Sequence, residues 1–135
     1  MSQENVEIAL RQFEHFNAQE FGPILDAWTE DVTTVVHGAL GLTGRSETVG
    51  KEAVAQVFAD WFGQFGSDYR AEIDEVHDLG DRVLVVATDR THGRRSGAPV
   101  TLQVTYLYTL REHRICRMEL WDNRDDALEA AGLSE

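Results

Sequence analysis

A carboxylate that closes an apolar row is the first feature of this sequence that could do chemistry. Cys116, Met118 and Leu120 alternate with Arg117 and Glu119, and the next residue on the apolar side is Asp122. Successive side chains of a strand point to opposite faces, so the spacing predicts Asp122 at the end of an inward row. Burial there would disfavour the anion, raise its pKa and make it a candidate acid or base. The competing role is structural, because an aspartate just ahead of Asn123 and a short helical segment is suited to be an N-cap. Upstream, Leu102, Val104, Tyr106, Tyr108 and Leu110 form a second alternating row against a polar face of Thr101, Gln103, Thr105 and Thr109. The even-numbered face is expected to point inward. That makes Tyr106, and after it Tyr108, candidate donors to a ligand oxygen, with a core tyrosine whose hydroxyl is satisfied as the plainer alternative.

Other chemistries find less support. His15, His37, His77, His92 and His113 are scattered without recurring ligand spacing, so no metal site is expected. His37 is retained as a candidate at a pocket mouth because it ends a β-branched run beside Gly38, although a turn histidine there needs no further role. Ser46 and Cys116 have no neighbouring base and no nucleophile elbow, which argues against covalent catalysis. With no G-x-G-x-x-G or phosphate-loop motif either, no cofactor is expected.

The elements that must position these residues are legible from their periods. Val6, Ala9, Leu10, Phe13 and Phe16 recur at helical spacing, with Ser2 as expected N-cap. Residues 17–22 read as a turn, and Pro23 opens a short second helix carrying Ile24, Leu25 and Trp28. Val32 to Val36 is β-branched throughout and predicts a strand, and the four glycines between Gly38 and Gly50 predict a long loop able to cover a pocket. Val54, Val57, Phe58, Trp61, Phe62 and Phe65 form the clearest helical stripe, ending at Gly66. Strands follow at 69–74, 83–87, 102–110 and 116–120, separated by turns at Gly80-Asp81, 92–97 and 111–114, and a last helix covers 124–131. Helices first and antiparallel strands later imply α+β architecture, and nothing divides the chain, so one domain over 1–135 is expected.

Composition sets the limits of function. A chain of 135 residues that is 42% hydrophobic and 27% charged can build one ordinary core, and its single cysteine cannot form an internal bridge. The net charge of −12 repels phosphate backbones and anionic lipid, so neither nucleic acid nor membrane is an expected partner. The basic cluster at Arg94-Arg95 reads as a solvated turn. No apolar run has the length of a membrane span and the amino terminus lacks the order of a signal peptide, so a cytoplasmic location is expected.

Several strings resemble the SnoaL-like, ketosteroid-isomerase-like branch of the nuclear-transport-factor-like superfamily, which also includes limonene epoxide hydrolases and polyketide cyclases. They are the opening VEIALRQFEHFNAQEFGPILDAWTEDV, the loop-to-helix VGKEAVAQVFADWF, the turn and strand GDRVLVV, and the closing TYLYTLREHRICRMELWDNRDDALEAAGL. The resemblance spans nearly the whole chain. It implies a conical, curved antiparallel sheet wrapped around N-terminal helices, a pocket between the inner sheet face and those helices, and a homodimer. The outer face with Gln103, Thr105, Leu107 and Trp121 is the expected dimer surface.

The family's catalytic residues are mostly missing. Ketosteroid isomerases hold an oxyanion with a first-helix tyrosine and a strand aspartic acid and use another aspartate as base, and those positions here are Phe13, Tyr106 and Val36. The arginine and first aspartate of the epoxide hydrolases fall near Val104 and Tyr106. The His-Trp-Asp string of the cyclases falls on Met118, Glu119 and Leu120, with Asp122 keeping the same facing two residues on. The resemblance therefore implies a pocket for a small, largely apolar organic molecule with one or two oxygens. The lining expected for it is Phe13, Trp28, Val36, His37, Phe58, Trp61, Val104, Tyr108, Met118 and Leu120, with Asp122 and Tyr106 as catalytic candidates. An isomerase, cyclase or hydratase using that pair is one alternative, and a non-catalytic dimer module with a filled interior is another.

Overall fold

The computed structural model describes residues 2–38 and 44–133. Its elements are α1 (Ser2–Asn17), α2 (Phe21–Asp26), β1 (Trp28–Gly38), β2 (Gly44–Val49), α3 (Lys51–Phe62), β3 (Arg70–Asp78), β4 (Arg82–His92), β5 (Pro99–Arg111), β6 (Arg114–Trp121) and α4 (Arg124–Ala130). All six strands form one curved sheet in the order β2-β1-β6-β5-β4-β3. β1 with β2, and β3 through β6 in succession, pair antiparallel, while β2 and β3, joined through α3, form the two edges; β1 runs parallel to β6 and makes the sheet mixed rather than antiparallel. Register shifts in β1, in β3 and between β5 and β6 bend it, since an extra residue on one strand increases local twist.

The helices occupy the inner face because their apolar stripes have nowhere else to go. Ala9 and Phe13 of α1 and Val54 of α3 join Val83, Val85, Ala87, Val104, Tyr108, Met118 and Leu120 of the sheet in the main core. Asn17 locks the end of α1 to the edge strand, its amide donating to the Ala71 carbonyl and accepting from the Ala71 N–H, both at 2.9 Å. Gln12 ties three elements together: it accepts from the Trp28 indole at 3.0 Å and donates to the Ile24 carbonyl at 3.2 Å. On the outer face, Ala127 and Ala131 pack on Leu84, Val86, Leu107 and Trp121. Asn123, not Asp122, caps α4, accepting from the Asp126 N–H at 3.1 Å.

Several expectations need correction. Trp28 opens β1 instead of closing α2, and α3 stops at Phe62, short of Gly66. The stretch expected as a loop from Gly38 to Gly50 contains β2, an edge strand paired with residues 33–38 of β1. The remainder of that loop, 39–43, and the Ser2 side chain expected to cap α1 lie outside the described residues. Cys116 falls at the β5–β6 irregularity, where Ile115 takes the place opposite Leu110. No helix of the described residues is long and apolar enough to cross a membrane.

Candidate functional site

Between the inner sheet face and the three N-terminal helices lies a cavity of about 480 Å³. Its helical wall owes its concavity to small side chains: Ala55, Ala59 and Gly63 recur every fourth residue along one face of α3 and its end, flanked by Phe58 and Phe62. Phe13 and Phe16 of α1, and Phe21, Ile24 and Leu25 of α2, supply the opposite wall. The floor is Ala71, Asp89, Tyr106, Tyr108 and Met118. A smaller space of about 80 Å³ adjoins it, lined by Val36, Val57, Trp61, Val104 and Leu120, with Phe58, Phe62, Asp89 and Tyr106 common to both.

Asp89 is the chemical centre of this arrangement. It sits on β4 between Ala71 of β3 and Leu102 of β5, with 2% of its surface exposed. Its Oδ2 accepts a 2.6 Å hydrogen bond from the Tyr69 hydroxyl, while Oδ1 is buried with no protein partner among the described residues. Burial pushes the carboxyl up to about 6, and the Tyr69 hydrogen bond works in the opposite direction. Tyr69 is held by aromatic edges, with Phe16, Phe62 and Phe65 at centroid distances of 5.2, 5.0 and 5.4 Å. Edge-to-face packing of this kind contributes about 0.5–1.5 kcal/mol per pair beyond burial and aims the hydroxyl.

Tyr106 and Tyr108 stack with centroids 5.7 Å apart, and Phe13 packs its edge against both. Burial, then the neighbouring Asp89, raises the pKa of each hydroxyl, so both remain protonated donors. Among the described residues neither hydroxyl has a hydrogen-bond partner. An unpaired carboxylate oxygen and two unpaired hydroxyls thus border one apolar space, a set suited to hold and protonate a ligand oxygen or to take a proton beside it.

The residues expected from sequence divide in two. Phe13, Trp28, Phe58, Tyr106, Tyr108 and Met118 line the larger space, and Val36, Trp61, Val104 and Leu120 the smaller. Asp122 and His37 line neither. The parity that placed Asp122 inward ends with β6 at Trp121, and Asp122 is exposed, its carboxylate lying over Gly38 where an added Cβ would collide with it. His37 is an odd-numbered residue of β1 and belongs to the outer face, stacked on Trp121 at 4.5 Å and bonded through Nε2 to Glu119 at 3.1 Å. Arg94, expected in a solvated turn, borders the larger cavity.

Asp89, Tyr69 and Arg94 were missed as site residues, yet the signal for Asp89 existed. Val83, Val85, Ala87 and Asp89 are an alternating row ending in a carboxylate, concealed because Leu84 and Val86 between them are equally apolar. Those two are buried on the other face against α4. Among the described residues no three His, Cys, Asp or Glu side chains group as metal ligands.

Solved structures with this fold are numerous. A protein called TerC, co-crystallised with polyporic acid, is 24% identical with a TM-score of 0.76, covering 96% of this chain and 97% of its own. A candidate SnoaL-like polyketide cyclase from Jannaschia sp. is 20% identical with a TM-score of 0.78, covering 98% and 94%. A protein of ketosteroid-isomerase-like fold from Catenulispora acidiphila, in complex with trimethylamine, is 19% identical with a TM-score of 0.72, covering 94% and 93%. At these identities the likeness shows the fold alone. No functionally curated protein matches the sequence. The family model described as the SnoaL-like domain matches residues 9–118, so the chain belongs to the SnoaL-like family.

Proposed function

We propose that the chain binds a small, largely apolar organic molecule bearing one or two oxygens in the cavity above Asp89, and that Asp89 exchanges a proton with it. The observation that carries this reading is the unpaired, buried Oδ1 of a carboxyl titrating at about 6, at the floor of an otherwise apolar space. A group that titrates near the working pH serves as both acid and base, and tyrosine hydroxyls beside it stabilise charge developing on an oxygen. Ligands in the crystals of two related folds, polyporic acid and trimethylamine, support an organic occupant. An open cavity of about 480 Å³ is a poor fit to a non-catalytic module with a filled interior.

The test is α-proton exchange of 2-tetralone, a bicyclic ketone of suitable size, followed by NMR in deuterated buffer. The wild-type chain should accelerate exchange, and Asp89→Asn should reduce the acceleration by about 100-fold, in the range of a lost general base. Exchange equal in the two proteins would remove Asp89 from the chemistry. A cytoplasmic location and a homodimer belong to the same proposal. Thr105, Leu107 and Trp121 are buried within one chain, so the pairing surface would be the polar remainder of the outer face around Gln103, Arg117 and Glu119. Sedimentation at micromolar concentration giving a monomer mass would dispose of the dimer.

A further inference from the structure

Arg94 stands where the cavity meets solvent, being exposed and yet part of the lining, and among the described residues it is the one cation there. Its backbone is fixed. The Arg94 N–H donates to the Gln64 carbonyl at 3.0 Å, the Gly66 N–H donates to the His92 carbonyl at 2.9 Å, and Gly93 forms a bridge with Phe65. The His92 ring lies over Gly66 so closely that a Cβ there would collide with it. The turn is thereby sewn to the segment that follows α3, and Arg94 cannot drift from the opening without breaking several contacts.

Among the described residues the Arg94 guanidinium is also uncommitted. Asp68, the acidic residue of the adjoining loop, is taken by His92 at 2.9 Å and Thr91 at 3.2 Å, and Asp60 of α3 accepts from Gln56 at 2.8 Å. Several other arginines are engaged, among them Arg90 with Glu72, Arg111 with Asp31, Arg117 with Glu119 and Arg124 with Glu75, and those without an ion pair among the described residues, such as Arg70 and Arg95, lie outside the cavity lining. A protein of net charge −12 does not draw anions by its overall field, so any preference for one must be local. A planar guanidinium presents paired donors that match a carboxylate.

We propose that the ligand carries a carboxylate which Arg94 binds at the cavity mouth, with the apolar body inside and the reacting oxygen at the Asp89 and Tyr106 floor. This rests on the ligand-binding reading above and narrows it to organic acids. The polar end at the mouth and the carboxyl at the floor would fix which end of the molecule enters first, making Arg94 a specificity-determining residue.

Two probes that share a ring system but differ in charge test it: 2-naphthoate and 2-naphthol, titrated near pH 7.5 at low ionic strength and followed by tryptophan fluorescence. The wild-type chain should bind naphthoate about tenfold more tightly than naphthol, the size of one charge-assisted contact at a partly wet site. Arg94→Gln should bring that ratio close to one. Arg95→Gln, removing an equal charge from the neighbouring residue outside the lining, should leave it in place. A wild-type ratio of one or below, a ratio that Arg94→Gln does not change, or an equal loss in Arg95→Gln would overturn the proposal. If naphthol binds and naphthoate gains nothing, only the carboxylate is refuted. If neither probe binds, the ligand-binding reading fails and takes this inference with it.

Discussion

Replacing Asp89 by asparagine should make the protein less sensitive to alkali, although it removes a residue from the floor of the site. Asp89 titrates at about 6 in the folded chain against an ordinary value of 3.8. A folded pKa above the unfolded one means the folded state releases its proton less readily, so stability is full below pH 3.8 and is lost as pH rises through about 6. The whole loss is about 3 kcal/mol at 1.36 kcal/mol per pH unit, of which roughly 2.5 falls between pH 4 and pH 8. Asparagine does not titrate. Any fixed cost of its unpaired amide is the same at both pH values and cancels in the difference. The Tm of wild type relative to Asp89→Asn should therefore drop by roughly 8–10 °C between pH 4 and pH 8 for a chain of this length. Thermal unfolding of both proteins across that range reads it directly. Parallel Tm curves would show that Asp89 titrates like an exposed carboxylate and would refute the burial argument.

Further outcomes follow from neighbouring contacts. Tyr69→Phe keeps the ring packing but removes the 2.6 Å hydrogen bond, so the Asp89 midpoint should rise above about 6 in an NMR titration, with a stability loss of about 1.5–3 kcal/mol above that midpoint. Ala59→Trp should fill the cavity and abolish 2-naphthol binding while the fold survives, as shown by an intact cooperative melt. Asn123→Ala should lower stability by about 1 kcal/mol through loss of the α4 cap, whereas Asp122→Asn should leave 2-naphthol affinity as it is. Gly38→Ala should cost about 1–3 kcal/mol on thermal unfolding, since φ is +70° and the new Cβ would press on the Asp122 carboxylate.

What could be read from the sequence depended on whether one face or two were buried. β5 faces the cavity on its even side and a largely polar surface at its start, so strict alternation exposed Val104, Tyr106 and Tyr108 as inward. β4 is covered by α4 on its other face, so residues 83–87 form an unbroken apolar run that hides the row ending at Asp89. Asp122 looked equivalent because parity was extended one residue beyond the end of β6. β2 was obscured by glycines and charges, which an edge strand tolerates, and the parallel pairing of β1 with β6 joins segments about eighty residues apart that carry no local mark of each other. The Arg94 role was equally invisible: a basic turn reads as solvated until the β3–α3 junction against which it is sewn is seen.

The most direct test is the titration of the Asp89 carboxyl carbon by NMR, assigned by its disappearance in Asp89→Asn and recorded with and without saturating 2-naphthol. A buried carboxyl bordering the occupied cavity should show a midpoint near 6 in the free protein and a displaced midpoint when the probe fills the space above it. A midpoint near 3.8, unmoved by the probe, would contradict both its burial and its place in the site.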